Sequence, residues 1–149
     1  MESIKEASEQ YLDSLTSMAL ALWPDNEANE LRREFKELIT SEKNKVLLYF
    51  MHAKPIAFIH ISVRSDYVEG SHNSPTGFIE GVYVEPEYRK KGISKKLIEV
   101  GERWLRTKDC TQIGSDIELS NNTSYQFHKS VGFNEVNRLI AFIKNIDEA

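Results

Sequence analysis

The chain has 149 residues, 40% hydrophobic and 10% aromatic, which suffices for one ordinary core and excludes a largely disordered chain. Its formal net charge of -4 argues against a nucleic-acid-binding surface, and Cys110, the one cysteine, excludes an internal disulfide and suits a reducing compartment. The N-terminal run Met1-Glu2-Ser3-Ile4-Lys5-Glu6 lacks an apolar signal core, and no stretch approaches membrane-spanning length. These features predict a cytoplasmic, single-domain protein over residues 1–149, with neither membrane nor nucleic acid as partner.

Taken in chain order, Ser3 to Ala7 reads as a short strand, and Ser8 offers an N-cap for a helix with Leu12, Leu15, Ala19 and Leu22 on one face. Pro24 ends that helix. Leu31, Phe35 and Leu38 mark a second helix that stops near Ser41. Val46 to Met51 and Ile56 to Arg64 read as strands, and the short link between them predicts an antiparallel hairpin. Ser65 to Thr76 is a polar, turn-rich loop carrying Asp66, Tyr67 and Glu69. Gly77 to Val84 reads as a strand closed by Pro86. A basic turn then opens a helix whose stripe is Ile93, Leu97, Val100 and Trp104. Gln112 to Ile117 reads as a strand, and Asn121 or Asn122 caps a short helix ending at Val131-Gly132. Phe133 to Ile143 supplies one or two closing strands. Antiparallel strands followed by strand–helix–strand predict an α/β fold with a mixed sheet and a right-handed parallel crossover over Gly77 to Ile117.

The turn before the third long helix carries the clearest chemistry. Arg89, Lys90, Lys91 and Gly92 lead straight into a helix start, where unpaired N–H groups and the dipole's positive end bind phosphate oxygens. Lys95 and Lys96 add positive charge. A solvated basic helix start with a convenient glycine accounts equally for this local pattern. Neither G-x-x-x-x-G-K-[ST] nor G-x-G-x-x-G occurs.

The longer run from Val82 to Ser94 resembles the cofactor motif of the GNAT superfamily of N-acetyltransferases, a strand and turn followed by [Q/R]-x-x-G-x-[G/A]. Arg89 and Gly92 match, while Ser94 replaces glycine or alanine with another small residue. Downstream, Asn121-x-x-Ser124-x-x-x-His128-x-x-x-Gly132-Phe133 is similar to the superfamily's N-x-x-A-x-x-x-Y-x-x-x-G-F, with histidine in place of tyrosine. The resemblance implies a GNAT-type mixed sheet with helices on both faces, and acetyl-CoA as cosubstrate. It places the cofactor against Val82, Tyr83, Val84, Arg89, Lys90, Lys91, Gly92, Ile93, Ser94, Lys95, Asn121 and His128. Asn121 and His128 share a helix face, being seven residues apart. The family's tyrosine often protonates the leaving thiolate, a role His128 inherits only as an expectation; a packing histidine is the alternative.

Further stretches resemble the aminoglycoside 6′-N-acetyltransferases: Trp23-Pro24, Ser62 to Gly70, Gly77 to Val84, Ser115 to Leu119 and Phe127-His128. The likeness implies a polycationic aminoglycoside substrate, acetylation of its 6′-amine by direct attack in a ternary complex, antibiotic resistance, and a homodimer. Glu80 interrupts an apolar strand, and Asp116 sits toward the end of another; a charge there is costly unless paired or functional. Both are expected to orient the substrate and to accept the proton of its amine, directly or through water. Trp23 and Tyr67 offer aromatic faces to a sugar and its cations, though each also suits plain packing. The resemblance further points to an acidic contact on the closing strand, where Asn137 stands with Glu135 nearby. Cys110 has no activating partner, and no metal site is read. Another GNAT acetyltransferase acting on a small amine or peptide N-terminus is the first rival reading. A non-catalytic acetyl-CoA sensor and a ligand-free structural module are the others.

Overall fold

The computed structural model describes residues 1–146, which divide into two compact units meeting after Asp116. The first unit holds β1 (Glu2–Glu6), α1 (Leu12–Leu22), α2 (Ala28–Leu38), β2 (Asn44–Met51), β3 (Lys54–Arg64), β4 (Thr76–Val84), α3 (Ile93–Thr107) and β5 (Ile113–Gly114). One sheet runs in the order β1-β2-β3-β4-β5, antiparallel up to β4 and parallel between β4 and β5. The mixed sheet and the α3 crossover therefore follow the sequence pattern. No helix among the described residues is long and apolar enough to cross a membrane.

Side-chain alternation along β3 sorts the two faces. Phe58 and His60 meet Phe35 of α2, with ring centroids 5.9 and 6.0 Å apart, and Trp23 at the end of α1 lies 6.2 Å from Phe58. The other face receives α3: Ile61 reaches Gly101, and Gly77 of β4 backs onto Leu105. Leu12, Leu15, Phe35, Leu48, Phe58 and their neighbours form the core under α1 and α2. Helices thus cover both faces.

The β2–β3 hairpin turns at His52 and Ala53, both at positive φ (51° and 66°), the backbone of a two-residue hairpin turn matched to strand twist. The register slips between Tyr49 and Phe50, which accommodates Pro55 where a strand lacks a donor.

Three local expectations for this unit are corrected. Ser8 makes no side-chain cap, because a 3₁₀ turn over Glu9–Tyr11 intervenes before α1. The buried stripe of α3 is Ile93, Leu97, Ile98, Gly101 and Leu105, with Val100 and Trp104 only half-buried. Gly101 turns the helix: without a Cβ it lets Ile61 approach, so the stripe centres there. The strand expected over Gln112 to Ile117 pairs only as Gly77↔Ile113 and Phe78↔Gly114. Gly114, at its end, admits Val68 of the preceding loop; a Cβ there would lie 2.7 Å from Val68 Cγ1. Val68 is 5% exposed and so anchors the 65–75 loop against the sheet.

The second unit begins at Ile117 and holds α4 (Asn122–Ser130). Asn121 caps it by accepting from Ser124 N–H at 3.1 Å. Gly132, at φ 99°, closes it: Gly132 N–H reaches Lys129 O and Phe133 N–H reaches His128 O at 2.9 Å, a Schellman ending. The closing strands expected over Phe133 to Ile143 are not formed among the described residues. Val136, Leu139, Ile140, Phe142, Ile143 and Ile146 are instead exposed. A strand exists only where a neighbouring strand takes its N–H and C=O groups, and none of the described residues of this unit forms a strand to supply that ladder.

Candidate active site

Two devices meet on β4. Between β3 and β4 the register jumps from His60↔Gly81 to Ile61↔Ile79, so Glu80 is the extra residue of a β-bulge. A bulge re-aims one side chain and breaks the ladder locally, which is how a carboxylate enters an otherwise apolar strand. On the opposite edge, β5 pairs only with Gly77 and Phe78, so the strand forms no ladder with β5 from Ile79 to Val84. That edge can accept hydrogen bonds from an extended ligand, as an added strand would.

Glu80 is not a bare charge. Its Oε2 accepts from Ser62 Oγ and from Arg64 Nε at 3.1 Å, and Arg64 Nη2 lies 2.9 Å from each oxygen. The guanidinium of Arg64 lies 3.6 Å from the centroid of Phe78. The carboxylate is half-buried and the arginine more exposed, so the pair contributes at most about 1 kcal/mol to folding. Asp116 lies exposed two residues beyond Gly114, just as Glu80 lies two beyond Phe78, the strand partner of Gly114. Parallel pairing thus sets both carboxylates past the same end of the β4–β5 ladder.

Of the aromatic candidates, Trp23 is half-buried, and Gly81 makes room for its ring; a Cβ on Gly81 would lie 2.5 Å from Trp23 Cη2. Trp23 is thereby tied to the residue next to Glu80. Tyr67 is 73% exposed, and its hydroxyl accepts from Gly70 N–H at 3.2 Å.

The basic turn has the conformation of an anion cradle. Gly92 caps α3 at φ 79°, and Lys90 also adopts a positive φ of 63°. A Cβ on Gly92 would meet nothing within 4 Å, so the glycine serves backbone conformation rather than close approach. The first intrahelical bond runs from Lys96 N–H to Gly92 O, which leaves the N–H groups of Ile93, Ser94 and Lys95 ahead of it at the positive end of α3. Lys90, Lys91 and Lys95 are exposed around them, whereas the Ile93 side chain is buried and can contribute only its N–H. Arg89 braces the turn: its Nε donates to Val84 O at 2.7 Å, and its guanidinium lies 5.4 Å from the Tyr83 ring. These donors fit a pyrophosphate.

In the second unit, His128 Nδ1 lies 2.7 Å from Ser124 O, which can only accept, so the proton sits on Nδ1. A neutral ring then presents Nε2 as an acceptor; it donates a proton from there only when doubly protonated. Phe133 packs against the ring at 5.1 Å. Glu135 is paired with Arg138 at 3.0 Å, and the hydrogen bonds from that guanidinium hold its carboxyl below the usual range. Asn137 accepts from Arg138 N–H at 2.8 Å.

Sequence reasoning missed the bulge and the partners of Glu80, Ser62 and Arg64. Their signal was the short spacing of Ser62 and Arg64 on the strand that pairs with β4; which of their neighbours they would touch depended on the register. Cys110 is buried, and burial pushes its thiol up, away from the reactive thiolate.

The chain resembles known proteins over nearly its whole length. An aminoglycoside N(6′)-acetyltransferase type 1 of Acinetobacter haemolyticus is 37% identical over 97% of this chain and 99% of that protein. The corresponding Acinetobacter baumannii protein is also 37% identical, over the same shares. Among solved structures, AAC(6′)-Ih from Acinetobacter baumannii superposes with a TM-score of 0.91 at 36% identity, covering 99% of this chain and 100% of that one. AAC(6′)-Iy in complex with a CoA-S-monomethyl-acetylneamine bisubstrate analogue gives a TM-score of 0.93 at 28% identity, covering 98% and 99%. The profile of the Acetyltransferase (GNAT) family matches residues 11–133, which include the Glu80 bulge, the α3 cradle and the α4 helix, and the chain belongs to that family.

Proposed function

We propose that this chain transfers the acetyl group of acetyl-CoA to the 6′-amine of aminoglycoside antibiotics, and so confers resistance to them. The observation that carries the reading is the carboxylate of Glu80, set by a bulge into the strand that leads directly to the Gly92 cradle. The near full-length likeness to proteins named for that activity supports it. Residues 1–149 are read as one acetyltransferase domain, a reading supported by a family match over residues 11–133 that runs across the unit boundary. A cytoplasmic location suits acetyl-CoA and the single thiol.

Acetyl-CoA supplies an acetyl group activated as a thioester. The N–H groups of Ile93 to Lys95, with Lys90, Lys91 and Lys95, hold its pyrophosphate; Arg89 keeps their turn in shape. The Val82 to Val84 edge orients its extended arm, and N–H groups there stabilise negative charge developing on the carbonyl oxygen. Asn121 organises α4, and His128 adds a hydrogen-bonding face. Trp23 and Tyr67 flank the sugar, and Glu80 and Asp116 bind its ammonium groups. An alkylamine is protonated near neutral pH and must lose a proton before it attacks. Glu80 already accepts from Arg64 with both oxygens, so it binds and orients, and the proton leaves through water to Asp116. Buried Cys110 forms no acyl intermediate.

The test is a steady-state assay on a panel of aminoglycosides with and without a 6′-amine, beside a polyamine and a peptide N-terminus. Turnover is expected only on compounds carrying the 6′-amine; turnover on the others alone sinks the assignment, and acetyl-CoA binding without any turnover points to a sensor. Asp116→Asn is expected to lower kcat about 100-fold, the scale of a lost general base. Glu80→Gln is expected mainly to raise the aminoglycoside KM, about tenfold.

We also propose a homodimer. The exposed apolar side chains between Val136 and Ile146, in a segment without a ladder of its own, support it.

A further inference from the structure

Arg64 ends β3, where the chain enters the 65–75 loop, and nothing in the acetyl-transfer chemistry requires a cation there. Its guanidinium takes a carboxylate on one side and an aromatic face on the other, Glu80 at 2.9 Å and the Phe78 centroid at 3.6 Å. A carboxylate beside a ring is the surrounding an ammonium group prefers. The chain has filled a cation site with its own side chain. We propose that Arg64 is an internal competitor for the substrate's ammonium at Glu80 and so sets the enzyme's affinity for polycations.

Three observations carry the argument. Arg64 makes three contacts with Glu80, and Ser62 Oγ makes a fourth, against about four acceptor positions on a carboxylate. A substrate amine that binds Glu80 fully must therefore displace a guanidinium contact. Displacement does not require opening the core: the Arg64 side chain is 41% exposed against 26% for Glu80, and its guanidinium lies on the outer face of the buried Phe78 ring where β3 runs into the 65–75 loop. A half-buried pair that keeps this much contact with solvent is weaker and more salt-sensitive than a fully buried one. Finally, the guanidinium cancels the charge of Glu80, so a polycation meets one fewer net negative charge. The Glu80 carboxylate keeps Ser62 as a donor when Arg64 leaves, so its orientation does not depend on the arginine alone.

This inference rests on the aminoglycoside reading. Its experiment compares wild type, Arg64→Gln, Arg64→Lys, Glu80→Gln and the Glu80→Gln/Arg64→Gln double variant. The KM for one 6′-amino aminoglycoside is measured at saturating acetyl-CoA, and the Kd of the same compound by calorimetry. Arg64→Gln is expected to lower KM and Kd about threefold to fivefold, with kcat not raised and the advantage shrinking at high salt. Arg64→Lys keeps the charge without the fork and falls between. In the Glu80→Gln background, Arg64→Gln has no further effect. An unchanged or raised KM in Arg64→Gln, a loss of kcat alone, or the same drop in the Glu80→Gln background each overturns the proposal. Should Arg64→Gln fold poorly by thermal denaturation, a wild-type KM in a well-folded Arg64→Lys does so too. Wild type that neither binds nor acetylates any aminoglycoside overturns the substrate reading, and this inference with it.

Discussion

His60 is 8% exposed, between Phe35 on α2 and the Glu80 bulge. Its Nε2 lies 2.8 Å from Asn44 Oδ1, and the Asn44 amide donates to Ser41 Oγ, so the amide oxygen faces the ring and Nε2 carries the proton. Burial lowers the imidazole's pKa from 6.5, and the field of Glu80 opposes that only in part. The folded protein thus holds His60 neutral at a pH where the unfolded chain takes up a proton. Below about 6.5 the unfolded state binds more protons, so stability is lost as pH falls toward the depressed value, and levels off beneath it. His60→Gln removes this contribution. Melting temperature measured between pH 7.5 and 5 is expected to fall less steeply in His60→Gln than in wild type. Parallel curves would show that His60 is already solvated.

At the scale of elements, the site is made by ends and interruptions of regular structure. The β4 bulge places Glu80, the short β5 leaves the Ile79–Val84 edge without a β5 ladder, and α3 begins at a left-handed residue. Gly92 is the sharpest case, because space around it is open and only its φ of 79° selects glycine. Gly92→Ala is expected to cost about 1 kcal/mol for the left-handed backbone, roughly 2–4 °C in melting temperature for a chain of this size. The same change tilts the N–H groups of the cradle, so the acetyl-CoA KM is expected to rise while the aminoglycoside KM stays near wild type. Equal effects on both substrates would detach the cradle from the cofactor.

For the whole molecule, the apolar segment after Gly132 is the open account. Phe142 is 90% exposed and Ile143 97%, so this segment is where a covering surface would bury the most apolar area. With a second copy as that surface, light scattering on the full chain is expected to give twice the mass of one chain. Phe142→Asp together with Ile143→Asp is expected to shift it to monomer and to lower stability. A wild-type monomer at micromolar concentration would refute the dimer.

Much of this protein was legible before any fold was known, and the reason is local. The spacing of Leu31, Phe35 and Leu38, the apolar runs of β3 and β4, and the Asn121 and Gly132 caps are decided by neighbours within a few residues. The Arg89–Gly92 turn belongs to the same class, since a left-handed glycine before a helix is a short-range requirement. Tertiary structure alone decided what depends on register and on partners distant in sequence. One skipped pair between β3 and β4 turned Glu80 out of the ladder and brought it to Ser62 and Arg64, 18 and 16 residues away. Pairing with β4 at Gly77 and Phe78 alone gave β5 two residues where six were expected. The closing strands expected over Phe133 to Ile143 are not formed among the described residues, because a strand's hydrogen bonds are completed by a neighbour, and no local pattern can supply one.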